Sequence, residues 1–304
     1  MLGFFLHIGR LHGQMGAVKH GGIPVKTAET VITSSSNARI KRLMRLRDRA
    51  ERDRSGLVLV EGFREILRAA DAGIALKELY YCGDLFLGEH EEVLINRVKS
   101  GGAALFPVAE APFRKASYRD RPDGLIATAA RVGRQLSGLT VSQTPLLVIA
   151  QSIEKPGNLG AILRSADASG ADAVLVCDGA TDVNNPNVVR ASTGALFTIP
   201  VVETSTAEAL AWLRTRGIGI VAASPHAATC YTDADFTKPV AVAVGAEQYG
   251  LKDDLLEAAD VRVKIPMAGT ADSLNASVAA TVLLFEAARQ RGFSAKPANK
   301  RDSV

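Results

Sequence analysis

The sequence predicts an α/β protein: a C-terminal unit on a mostly parallel sheet with helices on both faces, preceded by a smaller α/β unit. Three observations predict it. Continuous apolar, β-branched runs at residues 146–150, 173–177 and 240–244 alternate with segments of helical period, the signature of strands buried on both faces. A polar stretch at 131–144, carrying Gly133, Ser137 and Gly138, separates two such alternations and reads as a linker. With 304 residues and 47% hydrophobic content the chain is long enough to bury two cores.

The elements follow in order. Residues 1–30 hold scattered glycines without a sustained period and read as a flexible leader, with Met15 an alternative start. A helix is predicted over 37–54, where Ile40, Leu43, Met44 and Leu46 form a narrow stripe among arginines. A strand at 57–60, a helix at 62–72 closed by Gly73, a strand at 79–82, a helix at 89–99 and a strand at 125–129 complete the unit spanning 31–130. In the unit spanning 145–292, strand 146–150, helix 159–169 and strand 173–177 make one βαβ crossover. After a loop at 178–186 come a short helix at 188–194, a strand at 197–202 and a helix at 206–216 closed by Gly217. Strands at 218–223, 240–244 and 261–265 precede a long helix at 274–291, and 293–304 reads as a tail.

Charge is informative by its distribution. The net charge is only +4, yet residues 39–54 carry eight basic side chains interrupted only by the acids Asp48, Glu51 and Asp53, a candidate phosphate-contacting element. Cys82, Cys177 and Cys230 are odd in number and far apart, so neither a disulfide framework nor a metal site is suggested, and a reducing, cytoplasmic compartment fits best. The apolar start at residues 1–8 is too short to span a membrane and lacks a positive flank.

Three loops leave the C-terminal ends of predicted strands, where open α/β sheets bind ligands. The first runs from Glu154 to Gly160; its Asn158 has the chemistry of a helix cap, and the helix that follows buries Leu159, Ile162, Leu163 and Ala166 while Arg164 falls off that stripe. The second, 245–251, sets Glu247 between Gly245 and Gly250, so the backbone can approach a ligand closely. The third joins Ile265, Pro266 and Met267 to Ser273, Leu274 and Asn275 at the start of the last helix, whose free N–H groups suit an anion. Read alone, these loops define a polar, glycine-rich ligand site and no more.

Their order adds a resemblance. NLGAILRSADASGA, VGAEQYGL and IPMAGTADSLNASVAA closely resemble the three ordered motifs of the SpoU/TrmH family of RNA ribose 2′-O-methyltransferases in the SPOUT superfamily, across residues 145–291. The stretch RASTGALF at 190–197 also resembles the family. The resemblance implies S-adenosylmethionine as methyl donor, a trefoil-knotted C-terminal domain, a homodimer and no metal. It implies that Arg164 contacts the target phosphate and ribose, with Asn158, Glu247, Ser273 and Asn275 orienting Arg164, the ribose or the donor. It places the donor among Thr193, Gly194, Ala195, Val244, Gly245, Glu247, Gly250, Ile265, Pro266, Met267 and Leu274.

The segment SSNARIKRLMRLRDRAERDRSGLVLVEGFREI is similar to the substrate-binding module that precedes the catalytic domain in many members, an α/β fold akin to ribosomal RNA-binding proteins. That likeness implies RNA contacts from Arg39, Lys41, Arg42, Arg45 and Arg64, with ribosomal RNA as substrate and tRNA as the alternative. It also implies a module whose removal leaves a folded, donor-binding core. A catalytically silent RNA-binding factor is the rival from another class, and retention of the five polar site residues together argues against it. A nucleotide-dependent oxidoreductase is disfavoured, because no GxGxxG follows the first strand of the C-terminal unit.

Overall fold

A computed structural model describes residues 30–293. The leader, the alternative start and all of the tail beyond Phe293 lie outside the described residues.

The N-terminal unit is a mixed four-stranded sheet of β1 (Leu57–Glu61), β2 (Leu76–Tyr81), β3 (Ala104–Pro107) and β4 (Leu125–Ala130) in the order β1-β4-β2-β3. β4 runs antiparallel to β1 and β2, and β3 runs parallel to β2. Five helices cover it: α1 (Ala38–Arg45), α2 (Arg49–Ser55), α3 (Phe63–Asp71), α4 (Glu91–Ser100) and α5 (Glu110–Ala116). The single helix predicted over 37–54 is therefore two. Asn37 caps α1, and the chain breaks after Leu46. The break has a local cause, because the carbonyls of Leu46 and Arg47 accept from the Arg52 guanidinium at 2.9 and 2.7 Å instead of continuing a helix. β3 and α5 were not predicted; each is a single short segment, and Pro107 and Pro112 obscure the period.

The C-terminal unit is a seven-stranded, wholly parallel sheet. Its strands are β5 (Leu146–Gln151), β6 (Ala173–Cys177), β7 (Val201–Thr204), β8 (Gly219–Ala223), β9 (Thr229–Cys230), β10 (Val240–Val244) and β11 (Val261–Lys264), in the order β7-β6-β5-β10-β8-β11-β9. Both faces are covered, as the period-two alternation requires. Val148 and Ala150 of β5 join one apolar cluster with α6 (Pro156–Ala168), α7 (Pro186–Ala191) and α10 (Ala276–Gln290). Leu147 and Ile149 point the other way, into a second cluster with α8 (Thr206–Arg214) and α9 (Asp253–Ala258). The strand predicted at 197–202 begins later, since Ala195–Phe197 turns as a 3₁₀ segment before β7.

The units are not beads on a string. Val58, Val60, Leu125 and Ala127 of the N-terminal sheet belong to the same apolar cluster as Val188 and Val189 of α7 and Leu159 of α6. A buried ion pair joins them: Arg52, 1% exposed, meets Asp182 at 2.8 Å. Arg131 approaches the same carboxylate at 3.4 Å, Val132 exchanges two hydrogen bonds with the Asn184 side chain, and the Arg134 N–H donates to the Val201 carbonyl along the β7 edge. The start of the predicted linker is thus docked. Arg52 is also a correction to the basic stretch, because its charge is matched inside the protein and does not face solvent. An apolar core shared in this way argues against the expectation that the C-terminal unit stays folded once residues 1–130 are removed.

Candidate functional site

The winding of the C-terminal sheet reverses between β5 and β10, and open α/β sheets bind ligands at the carboxyl ends of strands near such a reversal. A cavity of about 320 Å³ lies among the loops after β8, β10 and β11. Of the predicted residues, Val244, Gly245, Glu247, Gly250, Ile265, Met267, Ser273 and Leu274 line it, with Pro266 held between two lining residues. Sequence reasoning missed Ser224, Pro225 and His226 after β8, and Asp272. The strand-end rule that selected the other loops also points to 224–226, but no motif marks that segment.

The second loop folds as it does because glycine is required. A Cβ on Gly245 would stand 2.1 Å from the Gly250 backbone, and Gly250 itself has a positive φ of 69°. The Gly250 N–H donates to the Ala246 carbonyl at 2.8 Å, closing the loop. Apolar Ile265, Met267 and Leu274 line the cavity together with polar Ser224, His226, Glu247 and Ser273. An elongated ligand with an apolar ring and charged ends matches that lining.

Polar contacts tie the three loops together. Lys155 of the first loop pairs with Glu247 of the second at 2.7 Å, and that carboxylate raises the lysine pKa through hydrogen bonding and charge. The Asn275 side-chain amide donates to Asn158 Oδ1 at 3.2 Å, joining the first loop to the third. Asn158 Nδ2 is buried without a partner, which leaves a donor for an incoming oxygen. Below them, the Ser165 and Thr281 hydroxyls share a hydrogen bond of 2.7 Å between α6 and α10.

The capping expectations shift. α6 starts with Pro156 at its first position and Lys155 before it, so Asn158 lies inside the first turn and is not the cap. On α10 the cap is Asn275, whose Oδ1 accepts from the Ser277 N–H at 2.9 Å. The α6 stripe of Leu159, Ile162, Leu163 and Ala166 is buried as the period implied. Arg164 is exposed on the outer face of α6, outside the cavity, and has no ion pair among the described residues.

Other predicted positions are placed elsewhere. Thr193, Gly194 and Ala195 do not line the cavity, because the N-terminal unit packs on them. Arg68 of α3 donates to the Thr193 carbonyl and hydroxyl at 2.7 and 2.9 Å, a Cβ on Gly194 would stand 3.2 Å from Arg68, and Ala195 is buried. In the N-terminal unit, Arg39 and Arg42 both pair with Glu78, Arg45 lies 3.9 Å from Glu51, and exposed Lys41 and Arg64 carry no ion pair among the described residues.

Comparison with known proteins adds a second line of argument. Residues 145–285 match the SpoU rRNA Methylase family, and residues 37–127 match the MRM3-like substrate binding domain. A 23S rRNA (uridine(2479)-2′-O)-methyltransferase from Streptomyces viridochromogenes is 35% identical over 85% of this chain and 92% of that protein. Among solved structures, an RNA 2′-O ribose methyltransferase superposes with a TM-score of 0.77 at 46% identity, over 86% of this chain and 98% of the other. The SpoU methyltransferase AviRb from S. viridochromogenes, in complex with the cofactor AdoMet, superposes with a TM-score of 0.76 at 34% identity, over 85% of this chain and 100% of that one.

Proposed function

The chain belongs to the SpoU rRNA methylase family, and we propose from that premise that it transfers a methyl group from S-adenosylmethionine to a ribose 2′-hydroxyl of ribosomal RNA. One observation carries the reading: loops far apart in sequence meet through Lys155–Glu247 and Asn158–Asn275 beside a cavity of about 320 Å³ lined by the loops after β8, β10 and β11. S-adenosylmethionine, when bound, supplies an electrophilic methyl group. Residues 244–250 and 265–267 would hold it, and the apolar side chains of Ile265 and Leu274 would offer its adenine an apolar surface.

The 2′-hydroxyl is a weak nucleophile and the group that distinguishes RNA from DNA. A guanidinium is a poor proton acceptor but a good anion ligand, so the role of Arg164 is to grip the neighbouring phosphate and to stabilise charge developing on the 2′-oxygen as the proton departs to solvent. The free Asn158 amide and the Ser273 hydroxyl orient the ribose, and Glu247 fixes Lys155 at the rim.

We propose a homodimer in which a second copy brings Arg164 to the cleft. Its support is a stripe on α10 beside α6, where Val278 and Phe285 are 46% and 41% exposed next to half-buried Val282. The trefoil threading is supported by the path of α10, which returns from the β11 side of the sheet to pack on β10 and α6. A cytoplasmic location is supported by Cys82, Cys177 and Cys230, all free thiols. Among the described residues no helix is long and apolar enough to cross a membrane.

The test is methyl transfer from labelled donor to 23S rRNA, followed by mapping of 2′-O-methyl sites. Arg164→Ala is expected to lower turnover by at least about 10²-fold while donor affinity measured by calorimetry stays within about twofold of wild type. Near-normal turnover in that variant refutes the role given to Arg164.

A further inference from the structure

The seam between the two units has an outer lip that the site above does not use. Tyr118 lies in the 117–123 loop, 36% exposed, with its backbone N–H donating to the buried Glu61 carboxylate at 2.7 Å. Its hydroxyl accepts from the Asn187 side chain of α7 at 2.7 Å, so one ring bridges both units. Two guanidinium groups flank that ring, Arg47 at 5.6 Å and Arg190 at 6.0 Å from its centroid.

These two cations differ from the other arginines nearby. Arg39 and Arg42 are matched by Glu78, Arg54 by Glu51 and Arg52 by Asp182. Arg47 instead donates to the carbonyls of Lys115, Ala116 and Ser117, and Arg190 to Asn187 Oδ1 at 3.1 Å; neither meets a carboxylate among the described residues. Arg121 of the same loop is exposed and also unpaired among them. The lip leads to the reacting centre. α6 presses on α7 at Gly160, where a Cβ would stand 2.5 Å from Ala191 Cβ, and Arg164 follows one turn later on the same face of α6.

We propose that this lip is a second RNA subsite, in which Tyr118 stacks on an unpaired base while Arg190 and Arg47 take the flanking phosphates, so that the strand crosses from the N-terminal unit to Arg164. The proposal rests on the reading of the chain as an RNA methyltransferase. An aromatic face beside cations that no acid neutralises is the chemistry that holds a single-stranded polyanion with stacking bases. A seam needed only as mechanical glue would be served by the Tyr118–Asn187 hydrogen bond alone.

The experiment uses the full chain and a 23S rRNA fragment, with RNA affinity measured by anisotropy over a series of salt concentrations and methyl transfer to the same fragment followed in parallel. Arg190→Ala should weaken binding about tenfold near physiological salt and flatten the plot of log affinity against log salt by about 0.7–0.9, the loss of one phosphate contact. Tyr118→Leu should weaken binding about tenfold with little change of slope, whereas Tyr118→Phe, which keeps the ring and loses the Asn187 bond, should bind like wild type. Donor affinity should be unchanged in all three, which reports that the fold is intact. Equal weakening in Tyr118→Phe and Tyr118→Leu, or an unaltered slope in Arg190→Ala, overturns the proposal. If the wild type binds RNA without methylating any, the enzymatic reading fails while these binding arms still decide the seam; if it binds no RNA, both fall.

Discussion

Removing the Asp182 carboxylate perturbs the joint between the units most directly. Arg52 and Asp182 have side chains 1% and 3% exposed, so Asp182→Ala strands a guanidinium with no access to water. Breaking a buried pair from one side costs about 3–5 kcal/mol. Arg52 keeps the carbonyls of Leu46 and Arg47 as acceptors, which puts the expected loss at the lower end, about 3 kcal/mol. At about 2–4 °C per kcal/mol for a chain of this size, the melting temperature should fall by roughly 6–12 °C. The assay is thermal unfolding followed by circular dichroism and by the fluorescence of Trp212, which sits in α8 and reports only the C-terminal unit. The double variant Arg52→Met, Asp182→Leu should recover most of the loss, because no buried charge is left unmatched. An Asp182→Ala protein within about 0.5 kcal/mol of wild type would falsify the argument that this pair fastens the units.

Two further outcomes follow from the geometry. Asn275→Ala removes both the α10 cap and the bond to Asn158, so stability should drop by about 1 kcal/mol while turnover falls by far more than that loss explains; parallel denaturation and methyl-transfer measurements check it, and proportionate losses would reduce Asn275 to a cap. Burial pushes the Glu61 carboxyl above the ordinary carboxylate range, desolvation outweighing the hydrogen bonds from Ser117 and Tyr118. A carboxyl that binds its proton more tightly when folded stabilises the fold below the ordinary range and loses that contribution as pH rises through its raised value. Wild type should therefore lose stability relative to Glu61→Gln between about pH 4.5 and neutrality, and a gap that stays constant across denaturation curves taken over that interval contradicts the assignment.

The C-terminal sheet was legible because its strands are buried on both faces, and runs such as Val240–Val244 have no competing period. The cleft was legible through loop order, with Gly245 required by a backbone contact that leaves no room for a Cβ and Gly250 favoured by its positive φ. Thr193, Gly194 and Ala195 lie outside the cavity, and a motif states which residues occur together, not which surface they meet; here the surface is Arg68 of another unit. His226 was missed because an isolated histidine after a strand has no spacing to mark it.

The basic stretch shows the deeper limit and its consequence. A run of arginines records positive charge but not where the counter-charge sits. For Arg52 that counter-charge is a carboxylate 130 positions away, for Arg42 it is Glu78, and for Arg47 there is none among the described residues. Neighbours in one segment thus divide between fastening the fold and remaining available to an anion. That division explains why an RNA-recognition unit is built into the core of its catalytic partner. A tethered module would raise the local concentration of RNA but leave its orientation free. A unit locked through Arg52, Asn184 and a common apolar cluster fixes the direction from which a strand would reach the proposed site.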